Sequence, residues 1–159
     1  MNLGKLLDTD HILLDMNATE HWPAIVELVD LLTERGDIPK ACYDEILSAL
    51  KVREAQISTG IGSGVAIPHT FSDSIQDVVA IFGRSKEGIE FEALDHAPVH
   101  FIILFVVPQK DYHLHLRILG AIAKMFTNCE VRRKLSTAMT RDEILEILDP
   151  KAIRSSAHI

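Results

Sequence analysis

The residues with the clearest potential for chemistry surround one histidine. His69 follows Pro68 directly, at the end of the stretch Thr59-Gly-Ile-Gly-Ser-Gly-Val-Ala-Ile-Pro-His69. Proline fixes its own φ and favours extended backbone at the residue before it, so the chain reaches His69 with few conformational alternatives. The position of His69 is therefore well defined, although a lone histidine after a proline is more often an ordinary surface or capping residue.

The three glycines before His69 favour close turns in which main-chain N–H groups converge on an anion. Such an anion cradle would lie at Gly62, Ser63 and Gly64, although composition alone favours a flexible turn. Known motifs do not fit the stretch. A dinucleotide fingerprint needs glycine at Val65, a Walker loop needs a lysine, and a nucleophile elbow at Ser63 needs glycine at both Ile61 and Val65.

Two further histidines, His113 and His115, lie in Tyr112-His-Leu-His-Leu-Arg-Ile-Leu-Gly120. On a helix His113 and His115 point about 200° apart, which excludes a shared metal ion. His115 belongs to the apolar stripe of this helix and should face the interior, as a core histidine or as part of a site. Its position near the start of a helix also suits a nearby anion, because free N–H groups gather there.

These residues must be positioned by helices at both ends of the chain and by strands in the middle. Apolar residues at spacings of three and four predict helices over 19–35, 39–54, 111–126, 130–138 and 141–148. Apolar runs rich in Val, Ile and Phe predict buried strands over 65–67, 78–82 and 99–107. Arg53 lies at the end of the apolar stripe of the second helix. The pattern predicts an α/β sandwich.

Composition limits the classes of function. The chain has 159 residues, is 47% hydrophobic and carries a formal net charge of -7. This favours one domain and disfavours nucleic acid or an anionic membrane as partner. Cys42 and Cys129 form no metal or disulfide motif, the N-terminus lacks a secretion signal, and the longest apolar run is too short to span a bilayer. We expect a cytoplasmic protein without membrane insertion.

The runs from Thr59 to His69 and from His115 to Ala123 closely resemble the enzyme IIA domains of the fructose, mannitol and nitrogen-regulatory type. These belong to the bacterial phosphoenolpyruvate-dependent phosphotransferase system. The resemblance extends from about residue 6 to residue 148 and implies a central mixed sheet flanked by helices. It also implies a type 2 enzyme IIA domain over 1–150, followed by a short tail at 151–159.

The resemblance implies roles for individual residues. His69 would accept a phosphoryl group from the histidine-containing phosphocarrier protein, with His115 and Arg53 in support and no cofactor or metal. Main-chain N–H groups at Gly62 to Gly64, with the hydroxyl of Ser63 or Thr70, would receive the phosphoryl oxygens. The acceptor would be a regulatory protein or the IIB domain of a sugar permease, and a free-standing nitrogen-regulatory type is favoured.

Three departures from the family accompany this prediction. One is Ser63, where Asn or Glu often stands. Thr70 stands where members often have glycine or another small residue, and His96 replaces the glycine of an Asp-Gly turn, which leaves the conformation of that turn open. A protein-binding module that is never phosphorylated is an alternative. A metal-dependent hydrolase is the weakest one, because no histidine and carboxylate cluster has ligand spacing.

Overall fold

The chain folds as a mixed β-sheet between two layers of helices. The computed structural model describes residues 6–56, 59–93 and 95–149. The strands are β1 (Ile12–Leu13), β2 (Gly60–Gly62), β3 (Val65–Ala66), β4 (His69–Phe71), β5 (Val79–Ile89) and β6 (Val99–Val107). The helices are α1 (His21–Glu34), α2 (Tyr43–Gln56), α3 (Tyr112–Phe126), α4 (Cys129–Thr137) and α5 (Arg141–Leu148).

Strand β6 organises the sheet. The order is β1-β5-β6-β3-β2, and β4 also pairs with β6. Pairing is parallel between β6 and both β3 and β4, and antiparallel between β6 and β5. Val65 lies opposite Phe101 and His69 opposite Phe105, so β3 and β4 follow one another along the same edge of β6. The predicted mixed sheet flanked by helices is confirmed.

Both faces of β6 are buried, which explains its continuous apolar sequence. Alternate residues point to opposite faces. One face packs against α3, α4 and α5, through Phe101, Ile103, Phe105, Val107, Ile118, Ile122, Phe126, Leu135, Ile144 and Leu148. The other packs against α1 and α2, through Ile102, Leu104, Val106, Ala24, Ile25, Leu28, Val29, Leu32, Ile46 and Leu50.

The predicted helices are confirmed with small shifts at their ends, and the second one is preceded by a 3-10 turn, Lys40–Cys42. Strand β5 runs seven residues beyond its predicted end at 82, because the polar Arg84 is buried in it. The Arg84 guanidinium donates to the carbonyls of Leu14, Leu135 and Ala138. These bonds satisfy Nε and Nη1 of a side chain that hydropathy alone would place at the surface, and Nη2 lies 3.7 Å from Asp15 Oδ1.

Two predictions concern the ends of the chain and its relation to membranes. The tail predicted at 151–159 lies outside the described residues. Within the ranges that are described, none of the helices has both the length and the apolar character needed to cross a bilayer.

Candidate active site

Three predicted site residues meet at the end of the sheet that carries β4. His69 begins β4, Arg53 comes from the last turn of α2, and His115 comes from the first turns of α3. Arg53 Nη2 lies 3.1 Å from His69 Nε2, and the His69 and His115 ring centroids are 6.3 Å apart. His69 and His115 are buried, whereas Arg53 is exposed. The structure thus brings together groups that are separated by up to 62 residues in sequence.

The neighbours of His69 define its tautomer. Its Nδ1 lies 2.8 Å from the carbonyl oxygen of Ile67, which can only accept a hydrogen bond, so Nδ1 carries the proton and donates. The Arg53 guanidinium can only donate, so Nε2 must accept from it. His69 is therefore a neutral imidazole whose Nε2 lone pair faces Arg53.

The surroundings keep His69 uncharged. Burial lowers the pKa of His69, and the charges of Arg53 and His115 lower it further, while the hydrogen bond to Ile67 and the carboxylate of Glu54 oppose the shift. The ring also stacks on Phe105 with centroids 5.0 Å apart. At neutral pH the side chain is held in its nucleophilic form.

His115 lies on the buried side of α3, as predicted, while His113 faces solvent. The His115 Nδ1 donates to the carbonyl of Tyr112 in the same helix turn, and its ring contacts Phe71 and Tyr112 edge-on. With Nδ1 donating, Nε2 is a lone-pair acceptor, and it becomes a donor only when the ring takes up a proton. His115 is thus fixed in orientation beside His69.

The glycine stretch forms a tight hairpin away from His69. Gly62, Ser63 and Gly64 all have positive φ, at 95°, 57° and 77°, and the Ser63 N–H donates to Asp95 Oδ2 at 3.0 Å. Val65 and His69 pair with β6 four residues apart, or roughly 13 Å along the strand. The turn therefore binds an anion, but that anion is the protein's own carboxylate.

The side chain of Thr70 is also separated from the His69 ring. Successive residues of a strand point to opposite faces, so the side chain of Thr70 lies on the face opposite to His69. Its pairing partner Val106 belongs to the α1 and α2 side of the core, whereas the partner of His69, Phe105, belongs to the α3 side. The structure does not bring the Thr70 hydroxyl to His69 Nε2.

Comparison with known proteins gives the family. The sequence model of the family described as phosphoenolpyruvate-dependent sugar phosphotransferase system, EIIA 2, matches residues 5–151. The chain belongs to this enzyme IIA family. It is 33% identical to the fructose-specific EIIA component of Haloferax volcanii over 85% of this chain and 90% of that protein. It is also 33% identical to the fructose-specific EIIABC component of Bacillus subtilis, over 94% of this chain but only 23% of that protein.

A solved structure agrees with this assignment. The nitrogen regulatory protein IIA-Ntr from Neisseria meningitidis superimposes with a TM-score of 0.84 at 31% identity. The match covers 92% of this chain and 98% of that one. The single-domain fold of this enzyme IIA chain is therefore also the fold of a nitrogen regulatory protein.

Glu54 also lies in the candidate site and was not predicted from the sequence. Its side chain is only 6% exposed. The carboxylate lies 2.6 Å from His21 Nε2 and accepts a hydrogen bond of 2.6 Å from the Thr59 hydroxyl. Its position directly after Arg53 was the one available signal, since His21 lies 33 residues away in sequence.

Apolar side chains are exposed on both helices that supply the site. Tyr112 and Leu116 lie on α3 on either side of His115, and Val52 precedes Arg53 on α2. Each is more than half exposed. In the described part of the chain, no group of three or more His, Cys, Asp or Glu residues is arranged to hold a metal ion.

Proposed function

We propose that this enzyme IIA chain is a phosphoryl carrier whose His69 Nε2 accepts a phosphoryl group from the histidine-containing phosphocarrier protein. The group is then passed to an acceptor protein. The observation that supports this proposal is the pair of bonds to His69, in which Ile67 holds the proton on Nδ1 and Arg53 lies at Nε2. A nucleophile with a defined lone pair and a cation beside it is what phosphoryl transfer needs.

The transfer is an in-line displacement between two imidazoles. The Nε2 lone pair of His69 forms the new N–P bond while the N–P bond of the donor breaks, and the donor ring leaves with that electron pair. The His69 ring keeps its Nδ1 proton and becomes cationic, and the Ile67 carbonyl stabilises this charge. Transfer from His69 to an acceptor nucleophile is a displacement of the same kind as transfer from the donor to His69. The same site can therefore pass the phosphoryl group onward.

Charge on the phosphoryl oxygens is balanced by Arg53 and His115. As Nε2 bonds to phosphorus, the Arg53 donor that pointed at the lone pair becomes available to an oxygen. Protonated His115 would supply a second donor through Nε2, because its Nδ1 stays bonded to Tyr112. In this proposal the Gly62 to Gly64 turn and the Thr70 hydroxyl take no part in this step, since the turn lies farther along β6 and the Thr70 side chain lies on the opposite face of the sheet.

Protein partners dock transiently around His69 in this proposal. Val52, Tyr112 and Leu116 expose apolar surface beside Arg53 and His115, which suits the apolar centre of a small, reversible interface. We propose that the phosphocarrier protein and the acceptor use this surface in turn, in the cytoplasm.

The proposed role is that of a free-standing nitrogen-regulatory type, in which phosphorylation of His69 is a signal to a regulatory protein. The 0.84 TM-score to IIA-Ntr supports it. The second candidate is a fructose or mannitol type that feeds the IIB domain of a permease, and the 33% identity to a fructose-specific EIIA component favours that one. Transfer of the phosphoryl group from this chain to a purified fructose-type IIB domain separates the two roles.

The test is intact mass after incubation with phosphoenolpyruvate, enzyme I and the phosphocarrier protein. We expect wild type to gain one acid-labile phosphoryl group, His69→Ala to gain none, and His113→Ala to behave as wild type, since His113 is an exposed histidine of the same helix. Absence of added mass on wild type, with a known enzyme IIA labelled in parallel, would reject the carrier role and favour a binding module that is not phosphorylated.

A further inference from the structure

A buried carboxylate connects the two groups that hold the His69 ring. Glu54 Oε1 accepts the Thr59 hydroxyl at 2.6 Å, and the Thr59 N–H lies 3.4 Å from Oε2. The Thr59 carbonyl in turn accepts the Ile67 N–H at 3.0 Å, and the Ile67 carbonyl accepts His69 Nδ1–H. One continuous hydrogen-bonded path therefore runs from Glu54 to Nδ1 of the proposed nucleophile.

The other side of the ring depends on the same segment of α2. Arg53, which contacts His69 Nε2, is the residue before Glu54 in the last turn of that helix. Glu54 is tied to His21 at the first turn of α1, and the His21 ring packs on Phe91 with centroids 3.9 Å apart. This anchor limits the movement of the end of α2, which would otherwise fray and carry Arg53 with it.

We propose that Glu54 is a positioning residue for phosphoryl transfer, which fixes His69 Nδ1 through Thr59 and Ile67 and holds Arg53 at Nε2. This inference rests on the proposed function of His69. Glu54 acts through other residues and makes no contact with the transferred group. A loose ring or a displaced guanidinium misaligns the attacking lone pair, and misplacement by about 1 Å can lower a rate about 100-fold.

The charge of Glu54 has a second effect on the ring. The charged and titratable groups acting on His69 are Arg53 and Glu54 from α2 and His115 from α3, and only the Glu54 carboxylate favours the protonated form. Removing this charge should therefore lower the pKa of His69 further. Because loss of the charge alone shifts this pKa, loss of positioning is read from the transfer rate and from whether His69 Nδ1 keeps its proton.

The experiment compares Glu54→Gln with Glu45→Gln as a matched control. Glu45 lies on the same helix and accepts the Ser72 and Ser74 hydroxyls, outside the path to His69. We expect Glu54→Gln to slow phosphorylation by the phosphocarrier protein about 10- to 100-fold, and Glu45→Gln to match wild type. Ring ¹⁵N spectra of the unphosphorylated proteins should show a lower His69 pKa only in Glu54→Gln.

A second pair of variants guards against misfolding of the first. Thr59→Val removes the hydroxyl and should slow transfer, while Thr59→Ser keeps it and should restore the wild-type rate. The proposal is overturned if Glu54→Gln leaves both the rate and the ring ¹⁵N titration unchanged. If wild type itself accepts no phosphoryl group, the proposed function fails, and the ring spectra still decide whether Glu54 keeps the proton on His69 Nδ1.

Discussion

The two ends of the β3–β4 edge stabilise different charge states of a titratable side chain: a neutral His69 at the β4 end and an ionised Asp95 at the Gly62 to Gly64 turn. At the β4 end, burial and the Arg53 guanidinium lower the pKa of His69, so a basic group stays uncharged. At the glycine turn, N–H groups of Ala97 and Ser63 lower the pKa of Asp95, so an acidic group stays charged and bound. The turn binds an internal carboxylate through the Ser63 N–H, whereas His69 Nε2 lies beside Arg53, where we propose that a phosphoryl group is accepted.

This comparison shows why a chemical motif alone does not locate a site. A turn with three successive positive φ values presents N–H groups to an anion wherever it occurs. Whether that anion is a substrate or an internal carboxylate depends on what the rest of the chain brings to the turn. Here Asp95 occupies it from 32 residues away in sequence.

The largest expected effect is at Arg53. Arg53→Gln removes the cation at His69 Nε2 and should lower the rate of phosphoryl transfer about 100-fold, the loss typical of a group that stabilises transition-state charge. Arg133→Gln breaks only an exposed ion pair with Glu130 and serves as the control. Rapid-quench measurement with the phosphorylated phosphocarrier protein gives both rates, and equal rates would remove Arg53 from the site.

The titration of His69 is the next prediction. Its pKa in the folded protein should lie below the ordinary value of about 6.5. The unfolded chain then binds the proton more readily, so the contribution of neutral His69 to stability is complete above that pH and falls as pH drops toward the folded pKa. A ¹⁵N ring titration measures it, and a midpoint at or above 6.5 would contradict the assigned environment.

At the opposite end, Asp95→Asn should lower thermal stability slightly at neutral pH while leaving phosphoryl transfer unchanged. The pKa of Asp95 is lowered, so its contribution is present above the unfolded value of about 3.9 and is lost as pH falls through the folded one. The difference in melting temperature between variant and wild type should therefore vanish in acid. Slower phosphoryl transfer in this variant would show that the turn affects His69 and would contradict the separation of the two ends.

The smallest effect is expected at His96. This residue has a φ of 58°, a left-handed conformation that costs a residue with a side chain about 1 kcal/mol or more. His96→Gly relieves this strain but loosens the unfolded chain, so we expect a gain of at most about 1 kcal/mol in the free energy of unfolding. Urea unfolding checks it, and a clear loss of stability would mean that the His96 side chain makes a needed contact.

The periodic parts of the fold could be predicted from sequence. The stripe of α3 placed His115 in the interior, and the apolar run of β6 gave its bounds at Val99–Val107. The strands β1, β2 and β4 have only two or three residues, too few for an alternating pattern to identify them. They exist because β5, β6 and β3 supply pairing partners, which is a tertiary effect.

The site was predictable to a similar extent. His69, Arg53 and His115 carry local signals, namely a preceding proline, the end of the apolar stripe of α2 and a position on the apolar stripe of α3. The occupation of the glycine turn by Asp95 and the contacts of Glu54 with His21 and Thr59 depend on long-range packing. No spacing in the sequence indicates them.

The central claim is that His69 Nε2 is the atom that receives the phosphoryl group. Long-range ¹H–¹⁵N correlation on the phosphorylated protein, with phosphorus coupling to the ring nitrogens, tests it directly. We predict that phosphorus is bonded to Nε2 of His69 and that Nδ1 keeps its proton. Phosphorus on Nδ1, or on another residue, would contradict the tautomer that Ile67 and Arg53 impose.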